Sequence, residues 1–231
     1  MILATKFGGS GSAQYIRNAV EASLERLQTD YVDLLYYHRP DGVTPIAETL
    51  SALDALVQQG KVRAIGCSNF SAEQLAEADE AAGTKSRFCA LQNQYSLLER
   101  DADADVLPLC RELDVGFVAY FPLASGLLTG KYKRGEPPAE GTRLARGAGE
   151  LLSDATFDEV DRLAAFAEER GRSLHELAIA AVTSTSGVAS VLVGATTPEQ
   201  VRENAAVDWR HTPEELSAIP RIEGRGVHSR R

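Results

Sequence analysis

No stretch of this 231-residue chain approaches the ~18 consecutive apolar residues that a membrane span needs, and no cationic start leads into a signal-peptide core. These absences point away from a helical membrane protein and towards the cytoplasm. Cysteine is scarce: Cys67, Cys89 and Cys110 show no CxxC spacing and no nearby histidine, which removes the usual zinc pattern and leaves buried, reduced thiols as the expectation. Cationic excess is missing too, since the net charge is −9. That argues against a nucleic-acid surface, although a local basic pocket for a phosphate is compatible with it. Paired carboxylates and clusters of metal ligands are absent from the ends of the strand-like segments, which sets aside barrel hydrolases and isomerases built on such groups.

What is present is alternation. With 44% hydrophobic and 25% charged residues, the chain is large enough to bury the core of one domain over 1–220. Ile2–Phe7 reads as a strand, and after Gly8-Gly9 the residues Ile16, Val20, Leu24 and Leu27 recur at helical spacing behind Ser10 and Ser12. Val32–Tyr37 is a second strand, followed by a helix carrying Ile46, Leu50, Leu53 and Val57 and stopped by Gly60. Further pairs follow: Val62–Cys67 with Ala72–Ala82, and Phe88–Gln94 with Ala104–Leu113. Gly116–Phe121 then precedes a longer connection, and a sixth strand, Val188–Val193, leads to helices near Pro198 and over Pro213–Ala218. Strands alternating with helices imply a parallel sheet with right-handed crossovers.

Two stretches break the rhythm. Gly126–Asp154 reads as a long polar loop, either lying over an active site or making a surface excursion. The basic tail 221–231, with four arginines and two glycines, reads as disordered.

In a parallel βα barrel the functional groups gather at the C-terminal ends of the strands. Lys6 stands at the end of the first strand, His38 follows the second, Ser68-Asn69 end the third, Gln92 and Tyr95 lie near the end of the fourth, and Tyr120 ends the fifth. Taken singly, each has an ordinary reading: a solvated lysine, a hydrogen-bonded histidine, a Ser-Asn helix cap. Their shared register is what marks them as a set.

The segments that hold these residues carry a resemblance. Ala4-Thr5-Lys6-Phe7-Gly8, Tyr37-His38-Arg39-Pro40-Asp41, Gly60–Phe70 (GKVRAIGCSNF), Gln92–Leu98 (QNQYSLL), Val118–Leu123 (VAYFPL) and Val193–Gln200 (VGATTPEQ) resemble, in order, the aldo-keto reductase family. The resemblance implies an α/β fold, the (β/α)8 TIM barrel of aldo-keto reductase type. It also implies NADPH-dependent reduction of an aldehyde or ketone to an alcohol, with NADH as the alternative cofactor. By the same resemblance Lys6 would lower the pKa of the family's catalytic tyrosine, and His38 would polarise the substrate carbonyl. Ser68, Asn69 and Gln92 would hold the nicotinamide carboxamide, and Tyr120, beside Pro122 and Leu123, would stack on the ring. Gly194, Ala195, Thr196, Gln200 and Asn204 would border the adenosine phosphate at a helix start. Thr196 and Gly194 stand where many relatives have basic residues, which weakens charge pairing to a 2′-phosphate.

About two βα units of the family pattern, with its catalytic aspartate and tyrosine, would precede Lys6. The expectation is therefore a barrel lacking about its first two units, whose lone chain reduces carbonyls weakly or not at all; an assigned start downstream of the true one is the favoured explanation, over a truncated gene product or a six-unit remnant that closes differently or pairs with another chain. Tyr31, Tyr36 and Tyr37 read as core residues rather than as replacement acids. The competing expectation is a nonenzymatic NADP(H)-binding or regulatory protein, as potassium-channel β subunits are, or an inactive fragment.

Overall fold

The computed structural model describes residues 2–146 and 149–221. Six strands alternate with helices: β1 (Ala4–Phe7), α1 (Ala13–Leu27), β2 (Val32–Tyr37), α2 (Ile46–Gln58), β3 (Val62–Ser68), α3 (Ala72–Ala82), β4 (Phe88–Gln94), α4 (Val106–Glu112), β5 (Gly116–Tyr120), α5 (Asp154–Glu168), α6 (Leu174–Ser184), β6 (Val188–Leu192), α7 (Pro198–Ala205) and α8 (Pro213–Ala218). The chain divides into two compact units, Met1–Asn93 with Asp103–Val118 and Gln94–Ala102 with Ala119–Arg231. In the first unit the hydrogen-bonded strand order follows the chain, β1-β2-β3-β4.

In the first unit β1–β2, β2–β3 and β3–β4 all pair in parallel. The register sets Lys6 beside Tyr36, Tyr36 beside Gly66, Gly66 beside Ala90, and Ser68 beside Gln92. Because side chains alternate along a strand, these residues share one face, while Phe7, Tyr37, Cys67 and Leu91 share the other. On that second face Phe7 and Tyr37 stack at 4.9 Å, and Phe70 meets Tyr37 edge-on at 6.0 Å and Phe88 at 5.7 Å. Helix α1 covers the unit with Ile16, Val20 and Leu24, and α2 with Leu50, Leu53 and Leu56. Helix α3 opens with a reciprocal cap between Ser71 and Gln74, a device contributing about 1 kcal/mol.

Several boundaries differ from the sequence expectation for local reasons. β1 starts at Ala4 rather than Ile2, because the Leu3 N–H donates to the Asp33 carboxylate instead of to a strand carbonyl and Ile2 is exposed. β5 stops at Tyr120, since Phe121 takes φ 59°, which no strand continues through. Cys67 and Cys110 are buried as expected, but Cys89 is exposed: it falls between Phe88 and Ala90, where the register of β4 against β3 shifts.

The second unit departs further. Its connection from β5 to β6 contains α5 and α6, and both pack on a core of Leu127, Leu128, Leu163, Phe166, Leu177 and Ala181. The Gly126–Asp154 stretch is correspondingly not all polar excursion. Leu127, Leu128 and Leu144 are buried, while Arg134 forks onto Asp154, Asp158 and Asp161. Helices α6 and α8 open with reciprocal caps, Ser173 with Glu176 and Thr212 with Glu215. Of the tail at 221–231, residues 222–231 lie outside the described residues.

Candidate active site

The strand face that carries Lys6 gathers most of the predicted residues of the first unit. Lys6 Nζ donates to Gln92 Oε1 at 3.0 Å. Ser68, buried at the end of β3, donates its hydroxyl to the Gln92 carbonyl at 2.7 Å. Asn69 follows in the left-handed region at φ 59°, which asparagine tolerates better than most residues. There its side-chain amide donates to the His38 carbonyl at 2.9 Å and to Ser68 Oγ at 3.1 Å. Lys6, His38, Ser68, Asn69 and Gln92 therefore form one continuous polar network. It joins backbone and side chains across β1 to β4.

Two supports were not singled out from sequence. Asn93 accepts the Asn69 N–H at 2.7 Å and donates to the Phe70 carbonyl at 2.9 Å, fixing the turn after β3. Asp41 accepts hydrogen bonds from the N–H groups of Gly11, Val43 and Thr44 and from the Thr44 hydroxyl, between 2.7 and 2.9 Å. It thus ties the loop after β1 to the loop after β2. The only signal for both was their place beside motif residues, in Gln92-Asn93-Gln94 and Arg39-Pro40-Asp41.

The electrostatics follow from this crowding. Partial burial holds the Lys6 ammonium below the ordinary lysine pKa. His38 is lowered by burial and by the cations Lys6 and Arg39, which favours the neutral imidazole. Burial raises the Tyr36 phenol to about 12, so it stays protonated. Burial also works against ionisation of Asp41, but its hydrogen bonds outweigh that and hold its carboxyl far below the usual range. Tyr36 and Tyr37 are core residues, as expected of them.

Tyr120 meets Phe121 edge-on at 5.1 Å, and the Arg143 guanidinium lies 4.3 Å over the Phe121 ring. Pro122 is buried, and Leu123 packs on the leucine-rich core. Gly194, Ala195 and Thr196 are exposed. Among the described residues a Cβ at Gly194 would meet nothing within 4 Å, so none of them approaches closely enough to require glycine there. Gln200 Oε1 is turned back to accept the Thr196 N–H at 2.7 Å, and Asn204 Oδ1 lies 2.8 Å from His175 Nε2. Arg202 pairs with Glu199 on the exposed side of α7, as a solvated helix residue does.

The sequence profile of the aldo/keto reductase family matches residues 1–223. The chain belongs to the aldo/keto reductase family. It is 37% identical over 224 residues to an Arabidopsis thaliana protein named "Probable voltage-gated potassium channel subunit beta", covering 90% of this chain and 68% of that one. L-glyceraldehyde 3-phosphate reductase of Escherichia coli O157:H7 is 36% identical over 222 residues, 92% of this chain and 64% of its own length. NADH-specific methylglyoxal reductase of Escherichia coli K12 is 36% identical over 200 residues, 84% and 60%. The chain therefore spans about two thirds of the length of these relatives or somewhat less.

Membership carries NAD(P)H into consideration, and the donor set of the first unit suits its nicotinamide end. A primary carboxamide needs both a donor and an acceptor. Ser68, Asn69 and Gln92 supply both types within one network. Among the described residues no helix is long and apolar enough to cross a membrane.

Proposed function

We propose that the protein is an NADPH-dependent oxidoreductase that reduces an aldehyde or ketone to an alcohol. The observation that carries this reading is the network of Lys6, Ser68 and Gln92 on one strand face with Asn69 and the His38 carbonyl just beyond the strand ends. The naming of two relatives as aldehyde reductases supports it. Bound nicotinamide would supply the hydride, with Ser68, Asn69 and Gln92 holding its carboxamide. His38, neutral at pH 7, offers a ring N–H to a carbonyl oxygen without carrying a competing charge. Lys6 places positive charge where an alkoxide would develop. From the family pattern alone, Tyr120, Pro122 and Leu123 border the ring, and Gly194, Ala195, Thr196, Gln200 and Asn204 border the adenosine phosphate.

The last group contains no cation, and Arg202 is already paired with Glu199. Discrimination between NADPH and NADH is therefore expected to stay within about tenfold, well below what a charge-paired phosphate gives. The family's tyrosine donor matches none of the motif residues above, so binding is a better first test than turnover. Titration of NADPH into the folded 231-residue chain, read by nucleotide fluorescence with circular dichroism as the folding control, is expected to saturate. Gln92→Ala should weaken binding by about tenfold. A folded chain that binds neither NADPH nor NADH overturns the proposal.

A second reading is favoured by the likeness to a protein named as a potassium channel subunit. On it, the chain binds the nucleotide and acts on a partner rather than a carbonyl. Tight binding with no turnover of any aldehyde or ketone, even with the family's preceding βα units joined to the chain, would support this reading instead.

A further inference from the structure

None of the residues of α7 is buried, and the hydrogen bond that ties this helix to α6 joins Asn204 Oδ1 and His175 Nε2 at 2.8 Å. The direction of the bond follows from its atoms. An amide oxygen only accepts, so the imidazole donates from Nε2–H, and Nδ1 carries the lone pair of the neutral ring. The α6 side of the bond is well anchored: Ser173 and Glu176 cap the helix reciprocally, and Leu174, Leu177 and Ala178 are buried in the core of the second unit.

Gln200 and Asn204 stand four residues apart and therefore share one face of α7. Gln200 Oε1 accepts from the Thr196 N–H and hydroxyl, just ahead of its own helix. The Asn204 amide is turned instead to another helix. A primary amide is also a group that reads the edge of adenine, its NH2 donating to N7 while its oxygen accepts from the 6-amino group. That oxygen is the atom to which His175 is bonded.

We propose that His175 sets the affinity for the adenosine end of the nucleotide by competing with the base for Asn204 Oδ1, so that binding exchanges one hydrogen bond for the other. This rests on the reading of the chain as a nucleotide-dependent oxidoreductase in which Asn204 borders the adenosine end. The role is opposite in sign to that of a tether. A histidine that served only to dock α7 would strengthen nucleotide binding by its presence, whereas a competitor weakens it.

The full chain is titrated by calorimetry with NADPH and, separately, with adenosine 2′,5′-bisphosphate, which presents the adenosine end alone. His175→Leu removes the donor, fills similar space and favours the helix. It is expected to tighten both ligands about fivefold, the worth of one net hydrogen bond. His175→Gln restores an N–H donor and should return the affinity to the wild-type value. In an Asn204→Ala background there is no oxygen left to compete for, and His175→Leu should change neither affinity. A merely structural role for His175 would act in both backgrounds alike.

Unchanged or weaker binding by folded His175→Leu overturns the proposal, as does an equal gain in the Asn204→Ala background; wild-type binding then leaves the nucleotide reading standing. If neither ligand binds wild type or any variant, the reading and the proposal fall together. Should His175→Leu not fold, NMR of the wild-type imidazole decides. The ligand-free ring is expected to be protonated at Nε2, and saturation with adenosine 2′,5′-bisphosphate should shift that nitrogen as Asn204 leaves it. A ring protonated only at Nδ1, or an unmoved resonance at saturation, overturns the assignment.

Discussion

The two units are built by different rules. In the first, β1, β2 and β3 are each followed within three to eight residues by a helix, and the polar network sits on the strands and the residues just beyond their ends. In the second, the stretch from β5 to β6 runs through three short turns and two helices before the next strand forms. Its core is made by helices and turn leucines rather than by a strand face. Regular βα units hold functional side chains at fixed register; long connections hold themselves together first, and their polar groups bond one another.

The cofactor candidates show that contrast. Gln92 and Ser68 bond across neighbouring strands, so their positions follow from the ladder. Gln200 instead bonds Thr196, and Asn204 bonds His175, so both are committed to the local fold of the second unit. Occupying them with a nucleotide requires those bonds to be exchanged. For the first-unit residues the network already has the composition that a carboxamide needs.

The largest expected effect breaks the second unit where it depends on helices. Leu177 is fully buried in α6 among the turn leucines. Leu177→Ala should cost about 3 kcal/mol, measured by urea unfolding with Trp209, the chain's single tryptophan, as the fluorescent probe. A loss below ~1 kcal/mol would show that the second-unit core does not depend on α6.

Next in size is the tie between the first two loops of the first unit. Asp41→Ala removes acceptors from Gly11, Val43 and Thr44, and leaving such donors unpaired costs about 2 kcal/mol in all. Its carboxyl is held far below the usual range, so its contribution is present above the ordinary carboxylate pKa and lost only in strong acid. Urea unfolding of wild type and Asp41→Ala should therefore differ equally at pH 5 and pH 8. A difference that changes between those values would contradict the network.

Smaller again are the caps. Ser173→Ala takes the acceptor from the Glu176 N–H at the start of α6, and a loss of about 1 kcal/mol is expected. Thermal unfolding of the variant checks it. Ser173→Asp, which keeps an acceptor at the same position, should recover most of the loss.

The strands of the first unit were legible because hydrophobic runs and glycine stops coincide with the ladder: β2, α3 and β4 fall where periodicity places them. The family motifs sit at those strand ends, so the register that unites Lys6, Ser68 and Gln92 could be read as well. Helices α5 and α6 were not, although Ser153 and Ser173 cap them. The polar loop read over Gly126–Asp154 runs up to the start of α5, and α6 is buried nearly all round, so its sequence lacks the two-faced period that marks a surface helix. The partners of Gln200 and Asn204 depend on side-chain orientation, which spacing does not encode.

The finest comparison within the second unit is set by pH. His211 is buried against Trp209 with ring centroids 4.2 Å apart, and neither ring nitrogen has a hydrogen-bond partner in the structure. Its pKa is lowered by burial and by Arg170, with Glu215 opposing. The unfolded chain therefore takes up the proton more readily than the folded one. The contribution of neutral His211 is fully present above the ordinary histidine value of about 6.5 and is lost as pH falls from there towards the folded pKa. Urea midpoints followed by Trp209 fluorescence should fall between pH 7.5 and 5.5, and His211→Phe should flatten that fall while keeping a ring against Trp209. An equal fall in His211→Phe would assign the pH dependence to other groups and leave His211 as packing alone.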